Sequence, residues 1–420
     1  MKQAISIATR ATAVIAAMAL SGLTAATAQT IAITGGTVFP VSGPRIENGT
    51  VLIRDGLITA VGANVTIPAG ATRVDATGKW VTPGLIHADS RAGLGIASLF
   101  QQSEASVQGE VTSSFSPAEG IDPAAITIPL ARTGGVTTGI AAPGGSYLRG
   151  TAVAIQHAGD RLEDVLISPA VAMVLNLSGS SKTAGGGSRA GTMARTRRIF
   201  RDALEYARRR ADYQRGAMQE LSAPAAELEA LLPVLTEEMP IVISANRAID
   251  IRNALRLTAE FKLRTILTGA VEGWQVAGEI VAAGVPVVLE PNTDIPSFDG
   301  LGARLDNATL LRAAGVSVII AQGDPGGERQ LRFGAGNAVR NGLTWDDALA
   351  AITRNPAQAF GLTGYGTLDP GSVANVVVWS GDPLDFASAA ERVYIRGQET
   401  SLHTRETELL ERYRTLPPHR

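Results

Sequence analysis

The sequence predicts an α/β chain in which a central series of strand and helix units builds a parallel sheet or barrel, with antiparallel β structure at both chain ends. Three observations predict it. Residues 31–81 are short alternating runs, Ile31-Ala32-Ile33, Thr50-Val51-Leu52-Ile53 and Leu57-Ile58-Thr59-Ala60-Val61, broken by Gly35-Gly36, Asp55-Gly56 and Gly62. That is the pattern of strands in a small sheet. A second such pair lies near the far end, at residues 371–379 and 393–397. Between them, apolar runs at 136–142, 242–244, 265–268, 285–289 and 316–321 alternate with amphipathic stretches, as parallel βα units do.

The elements follow in order. Lys2 and Arg10, an apolar small-residue stretch over 11–23 and Ala26-Thr27-Ala28 before Gln29 have the layout of a secretory signal peptide. The apolar run is shorter than the roughly 20 residues that span a bilayer. The expected mature chain therefore starts at Gln29, carries no membrane span and is exported, to a periplasmic or extracellular destination. Asp55-Gly56 is a type I′ hairpin signal between two strands. The longest helix is expected over 193–214. Its arginines, Arg195, Arg197, Arg198, Arg201, Arg208, Arg209 and Arg210, are interleaved with Asp202, Glu205 and Asp212, which reads as an ion-paired solvated face and not a polyanion site. The Gly/Ser-rich residues 178–188 lack phosphate-loop spacing and read as a mobile loop or lid. From Glu399 onward the tail is charged and helical, fraying at Pro417-Pro418.

Composition excludes several functions. With 420 residues, 45% hydrophobic and 18% charged, the chain is long enough for one large domain with a smaller satellite. A net charge of -2 gives no electrostatic reason for nucleic acid as a partner, so a small-molecule ligand or substrate fits better. There is no cysteine, which suits an oxidising compartment and removes thiolates from the possible nucleophiles and zinc ligands. The four histidines are His87, His157, His403 and His419; each reads as a surface or hydrogen-bonded residue, not as part of a zinc site.

At Asp75-Ala76-Thr77-Gly78-Lys79-Trp80-Val81-Thr82-Pro83-Gly84-Leu85-Ile86 the chain resembles the segment entering the first barrel strand of the amidohydrolase superfamily, in its imidazolonepropionase-like branch. Further points of resemblance are Gly134-Gly135-Val136-Thr137-Thr138, Arg247 with Asp250-Ile251, and Ala338-Val339-Arg340-Asn341-Gly342-Leu343. Asn355-Pro356-Ala357, Gly366-Thr367-Leu368-Asp369-Pro370-Gly371 and Gly381-Asp382-Pro383 complete the series. The resemblance implies a distorted TIM (β/α)8 barrel with a small β-sandwich built from both chain ends. The expected boundaries are signal peptide 1–28, sandwich 29–80 and 366–400, barrel 81–365 and charged tail 401–420. It also implies a hydrolase of non-peptide or dipeptide-like C–N bonds, with chemistry at the C-terminal ends of the barrel strands.

The family norm is a divalent metal such as zinc, and here the motifs depart from it. Where the family has Asp-x-His-x-His, this chain has His87-Ala88-Asp89-Ser90-Arg91, so Asp89 and Arg91 occupy the two histidine positions. Two residues apart on a strand, they are expected to face the barrel mouth together. The strand that carries His-x-His-Arg in the family reads Ser244-Ala245-Asn246-Arg247, and the His-Gly strand end reads Thr268-Gly269. In the fourth-strand region, Lys182 is the ionisable residue, and Gln322-Gly323-Asp324 keeps the last-strand aspartate. Asp324 is thus the expected catalytic residue. Asp89, Arg91, Lys182, Asn246, Arg247 and Thr268 are the expected pocket residues, with no metal ligand set and no cofactor. Arg91 is expected to replace the metal by pairing with Asp324 or Asp89.

Two readings follow: an exported, catalytically impaired binding or partner subunit, acting beside an intact amidohydrolase paralogue or as a homo-oligomer; or an active amidohydrolase, metal-free or with a weak metal site, using Asp324 as general base.

Overall fold

A computed structural model of the protein describes residues 30–94, 106, 109, 111–291, 297–322 and 327–414. The expected signal peptide and cleavage site, Asp324, His419 and Pro417-Pro418 lie outside the described residues. Five strands open the chain: β1 (Thr30–Val38), β2 (Ile46–Arg54), β3 (Leu57–Gly62), β4 (Thr72–Asp75) and β5 (Trp80–Pro83). Eight follow: β6 (Leu85–Ser90), β7 (Val136–Ala141), β8 (Leu148–Gln156), β9 (Leu166–Asn176), β10 (Ile241–Ala245), β11 (Thr265–Gly269), β12 (Val287–Leu289) and β13 (Val318–Ile320). β14 (Val376–Trp379), β15 (Ala390–Ile395) and β16 (Gln398–Thr400) complete the set.

The small sheet joins both ends of the chain, in the order β16-β15-β14-β5-β1-β2-β3, with β4 on β1. Asp55 and Gly56, with φ of 52° and 78°, form the tight turn that brings Arg54 opposite Leu57. Both central residues of a type I′ turn need positive φ, which Asp-Gly accepts.

The second sheet runs β6 to β13 in chain order and curls into a nearly closed α/β barrel. It departs from eight parallel units at one place: β8 pairs antiparallel with both β7 and β9, whereas β9 to β13 are all parallel. The reversal matters for the site, because it puts the start of β8 beside the C-terminal end of β9, where Leu148 pairs Leu175. Ala172 and Val174 alternate with Met173 and Leu175 along β9. The first pair packs with Ile86, Ile140, Ile266 and Ile319 in the barrel interior, the second with Ile199 and Phe200 of the surrounding helices. Period-two alternation on a strand separates the two layers.

Two of the glycines that open the Gly134-Gly135-Val136-Thr137-Thr138 run are explained by the joint between sheets. A Cβ at Gly135 would stand 2.3 Å from the Trp379 ring, and one at Gly134 would stand 2.3 Å from Arg329 Cα. Trp379 is fully buried and its indole N–H donates to Thr82 Oγ1 at 2.9 Å. Asn375 donates to Thr137 and Thr138 Oγ1 at 3.3 Å, and its carbonyl accepts from Gly84 N at 2.8 Å. The small sheet thereby fixes where β6 enters the barrel.

The Gly/Ser-rich segment is not a loose lid. Gly179–Gly185 winds as a 3-10 helix with Ser181 and Ala184 buried. Its start is tied down by Asn176 Oδ1, which accepts from Ser178 N at 2.9 Å. The arginine-rich helix runs Arg189–Arg208, capped by Ser188, and breaks before a short helix at Arg210–Gln214. Arg197 and Arg201 both reach Glu260, and Arg209 pairs with Glu205 and Asp212, so the face is ion-paired. The tail helix, Arg405–Tyr413, starts in a capping box of Thr404 and Thr407. Among the described residues no helix is long and apolar enough to cross a membrane.

Candidate active site at the barrel mouth

A cavity of about 230 Å³ opens at the C-terminal ends of the strands. β6 contributes Asp89, β11 contributes Thr268 and Gly269, β12 contributes Leu289, and Asn246 and Ala321 follow β10 and β13. Arg304, Leu305 and Asn307 close one side. Adjacent parallel strands end at one level, with Ser244 opposite Thr268 and Ala245 opposite Gly269, so the first residues beyond them converge. Gly269 has φ of 85° and lies so close to Asn246 that a Cβ would stand 2.1 Å from its Oδ1. The glycine is thus what leaves room for the Asn246 amide at the cavity wall. Asn307 donates to the Ala270 carbonyl at 3.0 Å. Arg304 is held by two hydrogen bonds to Asp306, both 2.7 Å, and lies 4.9 Å over the Trp274 ring.

Of the pocket residues read from the sequence, Asp89, Asn246 and Thr268 meet at this cavity. Lys182 does not: it stands exposed on the 3-10 turn, because the winding of that segment buries Ser181 and Ala184 and turns the lysine to solvent. Arg247 is also absent from the cavity wall. Its guanidinium grips Asp250 through two bonds of 2.8 and 3.0 Å, and Arg189 meets the same buried carboxylate at 3.2 Å. Arg189 also pairs with Asp299, which accepts from Gly179 N at 2.6 Å. This network clamps the 3-10 turn, the start of the Ala248–Phe261 helix and the segment after β12 together.

Arg91 does not stand in for a metal by pairing with Asp89. Among the described residues its guanidinium makes no ion pair; its backbone N–H instead donates to Glu328 at 2.6 Å. Glu328 is 4% exposed and pins the end of β6 to the short helix Gly327–Gln330. The pairing with Asp324 lies outside the described residues.

His87 and His157 are both fully buried. His87 Nδ1 accepts from Asp89 N at 3.2 Å, so Nε2 carries the proton and donates to the Gln322 carbonyl at 3.1 Å. His157 has the opposite tautomer: Nδ1–H donates to the Val136 carbonyl at 2.9 Å, and Nε2 is buried without a partner among the described residues. Burial lowers both pKa values, that of His157 to about 4, against the opposing pull of Glu328. Both imidazoles are therefore neutral and committed to main-chain carbonyls away from the cavity wall. His403 is half-exposed in the tail, 3.8 Å from Glu408.

These donors do not fit the divalent metal that the resemblance implies. The cavity wall offers the carboxylates of Asp89 and Glu290, the amides of Asn246 and Asn307 and the hydroxyl of Thr268, and among the described residues no imidazole lines it. Among the described residues no group of three His, Asp or Glu side chains is placed to hold a metal ion. A transition-metal site built from carboxylate, amide and hydroxyl oxygens, without an imidazole or a thiolate, is weak.

Sequence reading missed Arg149 and Glu328. Arg149 is the second residue of β8, at the mouth because β8 is reversed. Glu328 follows the last barrel strand in a stretch with no motif, and no spacing signal announces that its carboxylate is buried.

Residues 307–400 match the model of the amidohydrolase family. The amidohydrolase tasK of Hapsidospora irregularis is 25% identical over 83% of this chain and 39% of its own length. An imidazolonepropionase of Rhizorhabdus wittichii is 37% identical over 27% of this chain and 26% of its own. The matched stretches thus span well under half of these curated relatives. Among solved structures, an amidohydrolase from Thermotoga maritima MSB8 superposes with a TM-score of 0.81 and 27% identity, over 88% of this chain and 99% of that one. Molinate hydrolase, at 17% identity and a TM-score of 0.57 over 90% and 95% of the two chains, shares the fold. Fold, motif order and these similarities together place the chain in the amidohydrolase superfamily.

Proposed function

We propose that this chain recognises a small molecule with a non-peptide or dipeptide-like C–N bond at the barrel mouth, and that its metal-dependent hydrolysis is impaired. On this reading it serves as an exported binding or partner subunit, alone as a homo-oligomer or beside an intact paralogue. The observation that carries the reading is the donor set: Asp89, Glu290, Asn246 and Thr268 line the cavity without an imidazole among the described residues, while His87 is committed to Gln322. The superfamily relatives support the C–N bond class. Asn246 and Thr268 supply amide and hydroxyl groups suited to a substrate amide, and Val271, Val288, Leu289 and Leu305 an apolar wall. A bound metal would lower the pKa of water to about 7 and polarise the scissile carbonyl; these side chains supply neither effect.

One observation favours the second reading, a metal-free hydrolase. The Asp89 carboxylate faces the cavity and makes no hydrogen bond or ion pair among the described residues, so it is free to take a proton from water, as Asp324 is on the sequence argument. The test is turnover of dipeptides and N-acyl amides by the purified chain, with added zinc and after chelation. Turnover at the uncatalysed rate in both conditions is expected. Zinc-stimulated turnover contradicts the proposal, and metal-independent turnover abolished by Asp89→Asn establishes the second reading.

A further inference from the structure

Arg149 differs from the other shielded arginines of the barrel. Arg132 donates to the His157 carbonyl, and Arg332 donates to three carbonyls and Ser388, but Arg149 makes neither a hydrogen bond nor an ion pair among the described residues, and its Nε is closed off from solvent. The antiparallel course of β8 sets it at the mouth, outside the residues that line the cavity, next to Gly150, whose missing side chain lets the Phe115 carbonyl approach to where a Cβ would be 2.2 Å away. Its charged neighbours are Asp89, which attracts it, and Arg91, which repels it. Two guanidinium groups, Arg91 and Arg149, thus stand near the carboxylates of Asp89, Glu290 at the cavity and Glu328 on Arg91 N. Asp89 and Arg149 are not in contact, since no ion pair within 4 Å joins them.

We propose that Arg149 is an anion-binding residue of the mouth, and that the ligand carries a carboxylate which Arg149 holds while its apolar body fills the cavity beside Asp89. A desolvated cation without a partner is costly; accordingly, burial lowers the pKa of Arg149. Strain of this kind is retained where a ligand relieves it. A planar guanidinium meets a carboxylate through two parallel hydrogen bonds, which an ammonium cannot reproduce. The ligand class is therefore a small amide-bearing carboxylic acid. This deepens the proposed function and rests on it for the C–N bond, but the anion site stands or falls by itself.

The experiment is thermal unfolding of the full chain at pH 7 and matched ionic strength, with N-acetyl-L-leucine, N-acetyl-L-leucinamide and sodium acetate as probes, for the native protein and Arg149→Gln and Arg149→Lys. Acetate and the acid are expected to raise the Tm by about 2–4 °C over chloride, as a ligand well above its Kd does. The amide is expected to do so at least ten-fold less effectively. Arg149→Gln is expected to melt higher than the native protein without ligand and to lose the response; Arg149→Lys keeps the charge and only part of the response. Acid and amide acting equally would overturn the anion site while leaving the mouth as an amide-binding site. No response to acetate or the acid overturns the anion site. An Arg149→Gln protein that unfolds, or keeps the response, assigns Arg149 a structural role and overturns it too.

Discussion

His87 Nε2–H donates to the Gln322 carbonyl at 3.1 Å, and so ties the first barrel strand to the residue just beyond the last. Among the described residues no ladder joins β13 to β6, so this bond is one of the fastenings across the gap. His87→Phe fills similar space but removes the donor and leaves the carbonyl short of a partner. It should destabilise the fold by about 2–4 kcal/mol in urea unfolding. A loss within about 0.5 kcal/mol would mean that the gap is held without the imidazole.

The pH dependence follows from His157. Its folded pKa, about 4, is below the ordinary 6.5 because burial disfavours the charged ring. The unfolded chain therefore binds the proton first as pH falls. Stability is fully present above pH 6.5 and is lost between there and about pH 4, by up to about 3 kcal/mol. His87 shifts in the same direction and adds to the loss. His157→Gln should flatten the decline in ΔG measured between pH 7 and pH 4; an unchanged slope would assign it to other groups.

Asp250 is 4% exposed and meets both Arg247 and Arg189. Asp250→Asn would leave two guanidinium groups facing a neutral amide, at a cost of about 3–5 kcal/mol. Limited proteolysis should then cut near the segment after β12, where Asp299 loses its fixed partner. A stable, protease-resistant variant would show that the network does not hold that segment.

Asp89→Asn separates binding from stability. Since the carboxylate makes no hydrogen bond or ion pair among the described residues, the variant should unfold within about 0.5 kcal/mol of the native protein. Gly269→Ala is the counterpart: positive φ and the clash with Asn246 should lower stability by about 1–3 kcal/mol and shift the Asn246 amide. Unfolding titrations of both variants check the contrast.

Much of the frame was legible from patterning. Val136, Ile241, Thr265 and Val318 begin strands within two residues of where apolar runs predicted them, and Asp55-Gly56 makes the expected turn. The reversal of β8 was not legible, because alternation encodes which face is buried and not strand direction. Arg149 was missed with it. Asp89, Asn246 and Thr268 could be placed at the mouth from motif position alone. Lys182 and Arg247 could not, since local winding and the reach of Asp250 decide where their side chains go.

The central claim, that the mouth recognises its ligand without a resident transition metal, is tested most directly by elemental analysis of the purified full chain, with zinc titration by calorimetry. The account predicts far less than one equivalent of transition metal per chain and no zinc binding tighter than about 10 μM, because the carboxylates of Asp89 and Glu290 beside neutral oxygens, with no imidazole on the cavity wall among the described residues, are a poor ligand set. One equivalent of tightly held zinc, retained on dialysis and lost in Asp89→Asn, would contradict it.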